Sequence, residues 1–262
     1  MFRRLTPVAK NILIINVAIL LLSSLLRLPL NEWFGLRVIY SAEFAPYQFL
    51  TYMWLHGGMW HLFGNMIAVL VFAPMLEMVW GSKRFLIFYL VCGIGAGVLY
   101  GAADAFEKLP LKNEAEAYLA DPSPEAFEKF VIGNKSYINV ARASELIDLY
   151  YESSSYESQT VAAVRSIYEG VVTKGTMVGA SGAVFGILFA FAFLFPNTEL
   201  FLLFPPIPIK AKYLVFFYAM YELYAEFNRM PGDNVAHLAH LSGMLIAFVL
   251  LKFWKNDTKR FY

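Results

Sequence analysis

The sequence predicts an all-α, polytopic membrane protein, a six-transmembrane-helix bundle with both termini on the cytoplasmic side. Three observations carry this. The 262 residues are 59% hydrophobic and 16% charged, with a mean hydropathy of +0.54, whereas a soluble domain carries about 25% charged residues. Six apolar segments, near 9–27, 59–80, 85–103, 177–195, 211–227 and 235–253, approach the roughly 20 residues that cross a bilayer. The lysines and arginines of the short loops then fall at one end of all six.

The first segment follows Met1-Phe2-Arg3-Arg4 and is apolar from Asn11 to Leu26, as a secretory signal would be. Ser23-Ser24-Leu25-Leu26-Arg27 is a poor cleavage site and more spans follow, so this is read as an uncleaved first helix. A first outer loop, 28–55, leads to the second and third spans, which are joined through Lys83 and Arg84. Residues 104–174 are unlike their surroundings, with twelve acidic and seven basic residues. Ser123-Pro124-Glu125 marks a helix start with proline at the first helical position, and 141–153 and 157–172 also read as helical. This is a partly helical insertion outside the bilayer, too small and weakly apolar to predict a core of its own. The chain divides into 1–103 with spans one to three, 104–174 as the insertion, and 175–262 with spans four to six.

Arg3, Arg4 and Lys10, then Lys83 and Arg84, Lys210 and Lys212, and finally Lys252, Lys255, Lys259 and Arg260 mark the cytoplasmic side. Loop 28–55, the insertion and loop 228–234 then face outward. The arginine-rich start, without a targeting peptide, suggests a bacterial plasma membrane. A net charge of +1 gives no field for nucleic acid, and no such partner is expected. The lone Cys92 excludes an intramolecular disulfide and a cysteine-rich zinc module.

The second, fourth and sixth spans run in the same direction, and each carries polar residues in its first two turns. These are His56 and His61-Leu62-Phe63-Gly64-Asn65, Gly179-Ala180-Ser181-Gly182, and His237-Leu238-Ala239-His240. At 1.5 Å per residue they share one depth, roughly 5–10 Å below the outer surface. Intramembrane polar side chains are costly and usually functional. Ser181 is the candidate nucleophile and His240 its base, since a serine hydroxyl needs a group to take its proton. A serine between glycines can equally be helix-packing glue, with Gly182, Gly186 and Gly243 forming a small-residue face. His237 is the rival base; His240 is deeper and shares its face with Gly243. His61 and Asn65, at i and i+4, lie on one face. With the Ser181 amide they can hold an oxyanion, or they can form an inter-helix clasp. A zinc cluster of His56, His61, His237 and His240 is disfavoured, because four-histidine sites are uncommon; no metal and no cofactor are expected.

These residues resemble the rhomboid family of intramembrane serine proteases. The resemblance rests on His-x4-His-x3-Asn (His56, His61, Asn65), Gly-x-Ser-Gly (Gly179, Ser181, Gly182) and Ala-His-x-x-Gly (Ala239, His240, Gly243), with Glu77 and Gly81-Ser82 as a further feature. It implies a Ser181–His240 dyad without a third carboxylate, acting on transmembrane protein substrates within membrane lipid. It implies an oxyanion site of His61, Asn65 and the Ser181 amide. His56 would brace the first outer loop, Phe185 would lie against the histidine, and 228–234 would be a lid beside a gate formed by the fifth span.

Two features depart from the family pattern. Tyr47-Gln48 stand where many bacterial members carry Trp-Arg, and the insertion is no part of the usual core, which points to substrate selection. The alternative reading is a catalytically inactive rhomboid-like protein that binds or escorts membrane clients. A transporter is the remaining alternative; Glu222 and Glu226, its best support, are read as facing water at the outer end of the fifth span.

Overall fold

Helix follows helix along almost the whole chain in a computed structural model that describes residues 5–201, 207–228 and 235–255. Helix α1 is Pro7–Leu26, followed by two short helices, α2 (Leu30–Phe34) and α3 (Gln48–Thr51), in the first outer loop. Then come α4 (Met59–Trp80), α5 (Ser82–Ala120), α6 (Pro124–Gly133), α7 (Val140–Glu152), α8 (Glu157–Tyr168) and α9 (Ser181–Leu194). Two three-residue strands, β1 (Glu199–Phe201) and β2 (Pro208–Lys210), pair antiparallel before α10 (Ala211–Phe227) and α11 (His237–Lys255). The described parts of loop 228–234 end at Asn228, so the expected lid, like Arg3, Arg4, Lys259 and Arg260, lies outside the described residues.

Every expected span is a helix, but the lengths differ. Four (α1, α4, α5 and α11) are long and apolar enough to cross a membrane, and α9 is a shorter apolar helix. The fourth span begins at Ser181 and not at Met177; its 14 residues rise only about 21 Å, against a hydrocarbon core of about 30 Å. Residues 177–180 approach it in non-helical backbone. Such backbone is tolerated at membrane depth only where protein satisfies it, and it is satisfied here. Met177 and Leu36 exchange backbone hydrogen bonds of 2.8 and 2.9 Å, and the Gly179 N–H donates to the Tyr52 carbonyl at 3.0 Å. Tyr52 is itself buried and donates its hydroxyl to the Gly93 carbonyl of α5 at 2.7 Å.

The chain forms two compact units. The first comprises Met1–Leu36, Pro46–Tyr100 and Met177–Tyr262. Within it α9 packs against α4, α10 and, most extensively, α11. Glu77, buried on α4, ties down the start of α1: its carboxylate accepts from the Val8 and Ala9 amides at 3.0 and 2.9 Å and from the Ser82 hydroxyl at 2.6 Å. A carboxylate on the free amides of a helix N-terminus is favourable on both hydrogen-bonding and dipole grounds.

The second unit comprises Arg37–Ala45 and Gly101–Thr176, so it takes nine residues that the sequence groups with the first outer loop. It has a core of its own, a point the sequence leaves open. Ala115, Tyr118, Phe127, Phe130, Val131, Tyr150 and Val164 are buried together. Ser123 caps α6 as expected, accepting from the Ala126 amide at 3.2 Å with Pro124 behind it. Buried Arg37 donates to the Thr173 carbonyl and pairs with Glu43 at 2.6 Å.

Candidate active site

Ser181 opens α9, so its amide and those of Gly182 and Ala183 have no carbonyl four residues back inside the helix. Free amides at a helix N-terminus, with the positive end of the helix dipole behind them, suit a negative oxygen. The local geometry depends on Gly179. Its φ of +138° lies in the region that favours glycine, and a Cβ there would stand 2.8 Å from the His61 ring and 3.6 Å from the Ser181 hydroxyl oxygen. Gly179 is therefore the gap across which His61 and Ser181 face each other.

The pairing of α9 with α11 is equally close. A Cβ on Gly243 would collide with the Gly182 carbonyl, and one on Gly182 would stand 3.5 Å from the Ala239 carbonyl oxygen. Backbone therefore meets backbone one residue from Ser181 and one from His240. The His240 ring, buried, stacks on Phe185 with centroids 4.1 Å apart and planes at 7°. Phe185 is one turn along α9 from Ser181, so one helix carries both the hydroxyl and the ring that fixes the imidazole plane. Among the described residues the Ser181 hydroxyl makes no hydrogen bond to His240. Such bonds are often long in substrate-free enzymes and tighten once substrate is in place.

His61 lies exposed at the start of α4, with its Nδ1 3.4 Å from the Gly57 amide. Asn65 is buried and donates Nδ2 to the His61 carbonyl at 3.0 Å, a bond within one helix and not an inter-helix clasp. That bond uses one of two amide hydrogens and leaves the other available. His56 is buried in the loop before α4, its ring edge-on to His61 with centroids 5.0 Å apart, and its carbonyl accepts from Asn31 Nδ2 at 3.2 Å. Burial pushes its imidazole down to about 3, which keeps it neutral.

The structure corrects the sequence reading at α10 and at the start of α11. Glu222 does not face water; it is 4% exposed. Its Oε2 lies 2.5 Å from His237 Nδ1 and 3.0 Å from His240 Nδ1. The first is a hydrogen bond; at the second the carboxylate is close but off the axis of the ring N–H. His237, placed at the helix mouth by sequence, is buried beneath this carboxylate. Glu226, one turn on, accepts from the Leu238 amide at 3.1 Å and so caps the first turn of α11. Two carboxylates four residues apart in an apolar segment were the available signal; their depth was not legible.

Glu222, His237 and His240 are also the group that could approach a metal, with ligand atoms within 4.8 Å of one another. Tetrahedral zinc ligands at about 2.0–2.1 Å from the ion stand roughly 3.3 Å apart. The 2.5 Å between Glu222 and His237 is instead a hydrogen-bond distance, so this geometry fits a proton and not an ion.

A family model described as the Rhomboid domain matches residues 43–111 and 138–254, well over half of the chain. The chain is also similar to RHOMBOID-like protein 6, mitochondrial, of Arabidopsis thaliana, at 35% identity over 77 residues. That match takes in 29% of this chain and 24% of the relative, so the chain spans about a quarter of that protein's length. With its apolar helices and the extent of the domain match, the chain is an integral, multi-pass helical membrane protein of the rhomboid family.

Proposed function

We propose that the protein is an intramembrane serine endopeptidase that cleaves transmembrane segments of other membrane proteins near the outer face of the bilayer. The observation that carries this is the backbone contact of Gly182 with Gly243, which brings the start of α9 beside His240. In the proposed reaction the Ser181 hydroxyl attacks a peptide carbonyl as His240 takes its proton. The tetrahedral oxyanion is held by the Ser181 amide, the His61 ring and the free Asn65 N–H. Collapse expels the amine, which His240 protonates, and water then hydrolyses the acyl-serine by the same steps. No step calls on a metal or cofactor.

The short-loop lysines and arginines support a reading with both termini in the cytoplasm and the insertion outside, in a bacterial plasma membrane. Substrate would reach the site through lipid. The insertion, the second compact unit, is assigned to substrate selection.

The unbonded Ser181 hydroxyl favours a second reading, a catalytically inactive family member that binds or escorts clients. Reconstitution with a model transmembrane substrate separates the two. The protease reading expects cleavage by the native chain and none by Ser181→Ala or His240→Ala, with all three folded. Cleavage at native rates by either variant removes the dyad; no cleavage by the native chain, with substrate still bound, leaves the escort.

A further inference from the structure

We propose that Glu222 is the positioning carboxylate of the site, so that Ser181, His240 and Glu222 work as a triad. The inference rests on the protease reading above and departs from the two-residue machinery that the resemblance implies.

The Glu222 carboxylate stands 3.0 Å from His240 Nδ1, off the axis of the ring N–H, and the triad needs it to swing into line once substrate is in place. A neutral imidazole carries one proton, and the nitrogen without it is the base. A carboxylate beside Nδ1 keeps the proton there and leaves the Nε2 lone pair for the serine. The ring plane is fixed independently by Phe185 at 4.1 Å. Tautomer and orientation are thus set by different helices, α10 and α9.

The partners of Glu222 support the same role. It is buried, and among the described residues its partners are two imidazoles, with no lysine or arginine. A buried carboxylate with no permanently charged partner is poorly compensated at rest. When Ser181 gives up its proton, His240 becomes an imidazolium beside that carboxylate. The compensating charge therefore forms during the reaction, where it lowers the barrier. The carboxylate stays ionised throughout; the proton moves from Ser181 to His240 and then to the leaving amine. His237 holds the same carboxylate oxygen at 2.5 Å and so fixes its rotamer.

The test uses the full chain in phospholipid vesicles, with a fluorogenic transmembrane peptide and a fluorophosphonate serine probe. Glu222→Gln keeps the shape and a hydrogen-bonding group but not the charge. It is expected to lower kcat by at least about 100-fold, as loss of a triad carboxylate does elsewhere, with KM and melting temperature nearly unchanged. Probe labelling should slow in parallel, and Glu222→Asp should restore much of it. A Glu222→Gln kcat within about threefold of native overturns the proposal, since a triad carboxylate is worth far more than that. So does loss of native labelling on adding a chelator, which would make the three residues metal ligands. Nitrogen NMR of histidine-labelled native protein requires no variant to fold: it should find the His240 proton on Nδ1, and a proton on Nε2 overturns the assignment. Native protein that never labels at Ser181 removes the protease reading itself.

Discussion

Gly179 shows how tightly single residues are constrained. Its backbone needs a positive φ and its α-carbon faces the His61 ring at a distance that leaves no room for a methyl group. Gly179→Ala should destabilise the protein by more than about 1 kcal/mol and displace His61 from Ser181. Probe labelling, normalised to folded protein, should fall with it; unchanged labelling and melting temperature would mean that the gap is not needed. His61→Ala and Asn65→Ala should lower turnover by about 100-fold or more while leaving KM nearly unchanged, the mark of donors that act on the oxyanion. Asn65 was legible as polar and on one face with His61, but its bond to the His61 carbonyl was not, because sequence gives no rotamer.

At the scale of elements, the first turn of α1 depends on Glu77. Glu77→Ala leaves the Val8 and Ala9 amides without their acceptor, at about 1–3 kcal/mol for each buried group. Denaturation in detergent should show that loss, while the remaining folded protein still labels with the serine probe. A loss of labelling with full stability would assign Glu77 to the reaction instead. The spans were legible because apolar runs of that length admit few other readings. The start of α9 was not, since Met177, Val178, Gly179 and Ala180 are as apolar as a helix and only backbone bonding shows that the helix begins after them. The end of α5 was missed for the opposite reason: charged residues from Asp104 onward end the apolar signal, but the helix continues to Ala120. Strands β1 and β2, three residues each, carry no periodicity long enough to read.

The whole molecule comprises a unit of apolar helices that carries the candidate site and a second unit with a separate core. That core escaped the sequence because its members come from distant positions: Tyr118 and Phe127 pack with Tyr150 and Val164 across four helices. Phe127→Ala should cost the unit about 3–5 kcal/mol, read as faster hydrogen exchange through α6, α7 and α8. Two tyrosines make the same unit sensitive to alkali. Burial, with Asp104 nearby, pushes Tyr40 up to about 12, and burial, with Tyr118 and Glu157, does the same for Tyr150. An unfolded chain ionises its tyrosines near pH 10, so the unfolded state loses these protons first. Stability of the unit should be full below about pH 10 and fall as pH rises toward 12; Tyr40→Phe with Tyr150→Phe should flatten that decline.

Covalent labelling at Ser181 tests the central claim most directly, because it requires a hydroxyl that His240 has activated. The native chain should react with a fluorophosphonate probe, with the adduct mapped to Ser181 by mass spectrometry, and both Ser181→Ala and His240→Ala should stay unlabelled. Labelling that persists at Ser181 in a folded His240→Ala variant would contradict the account, as would a native chain that never reacts.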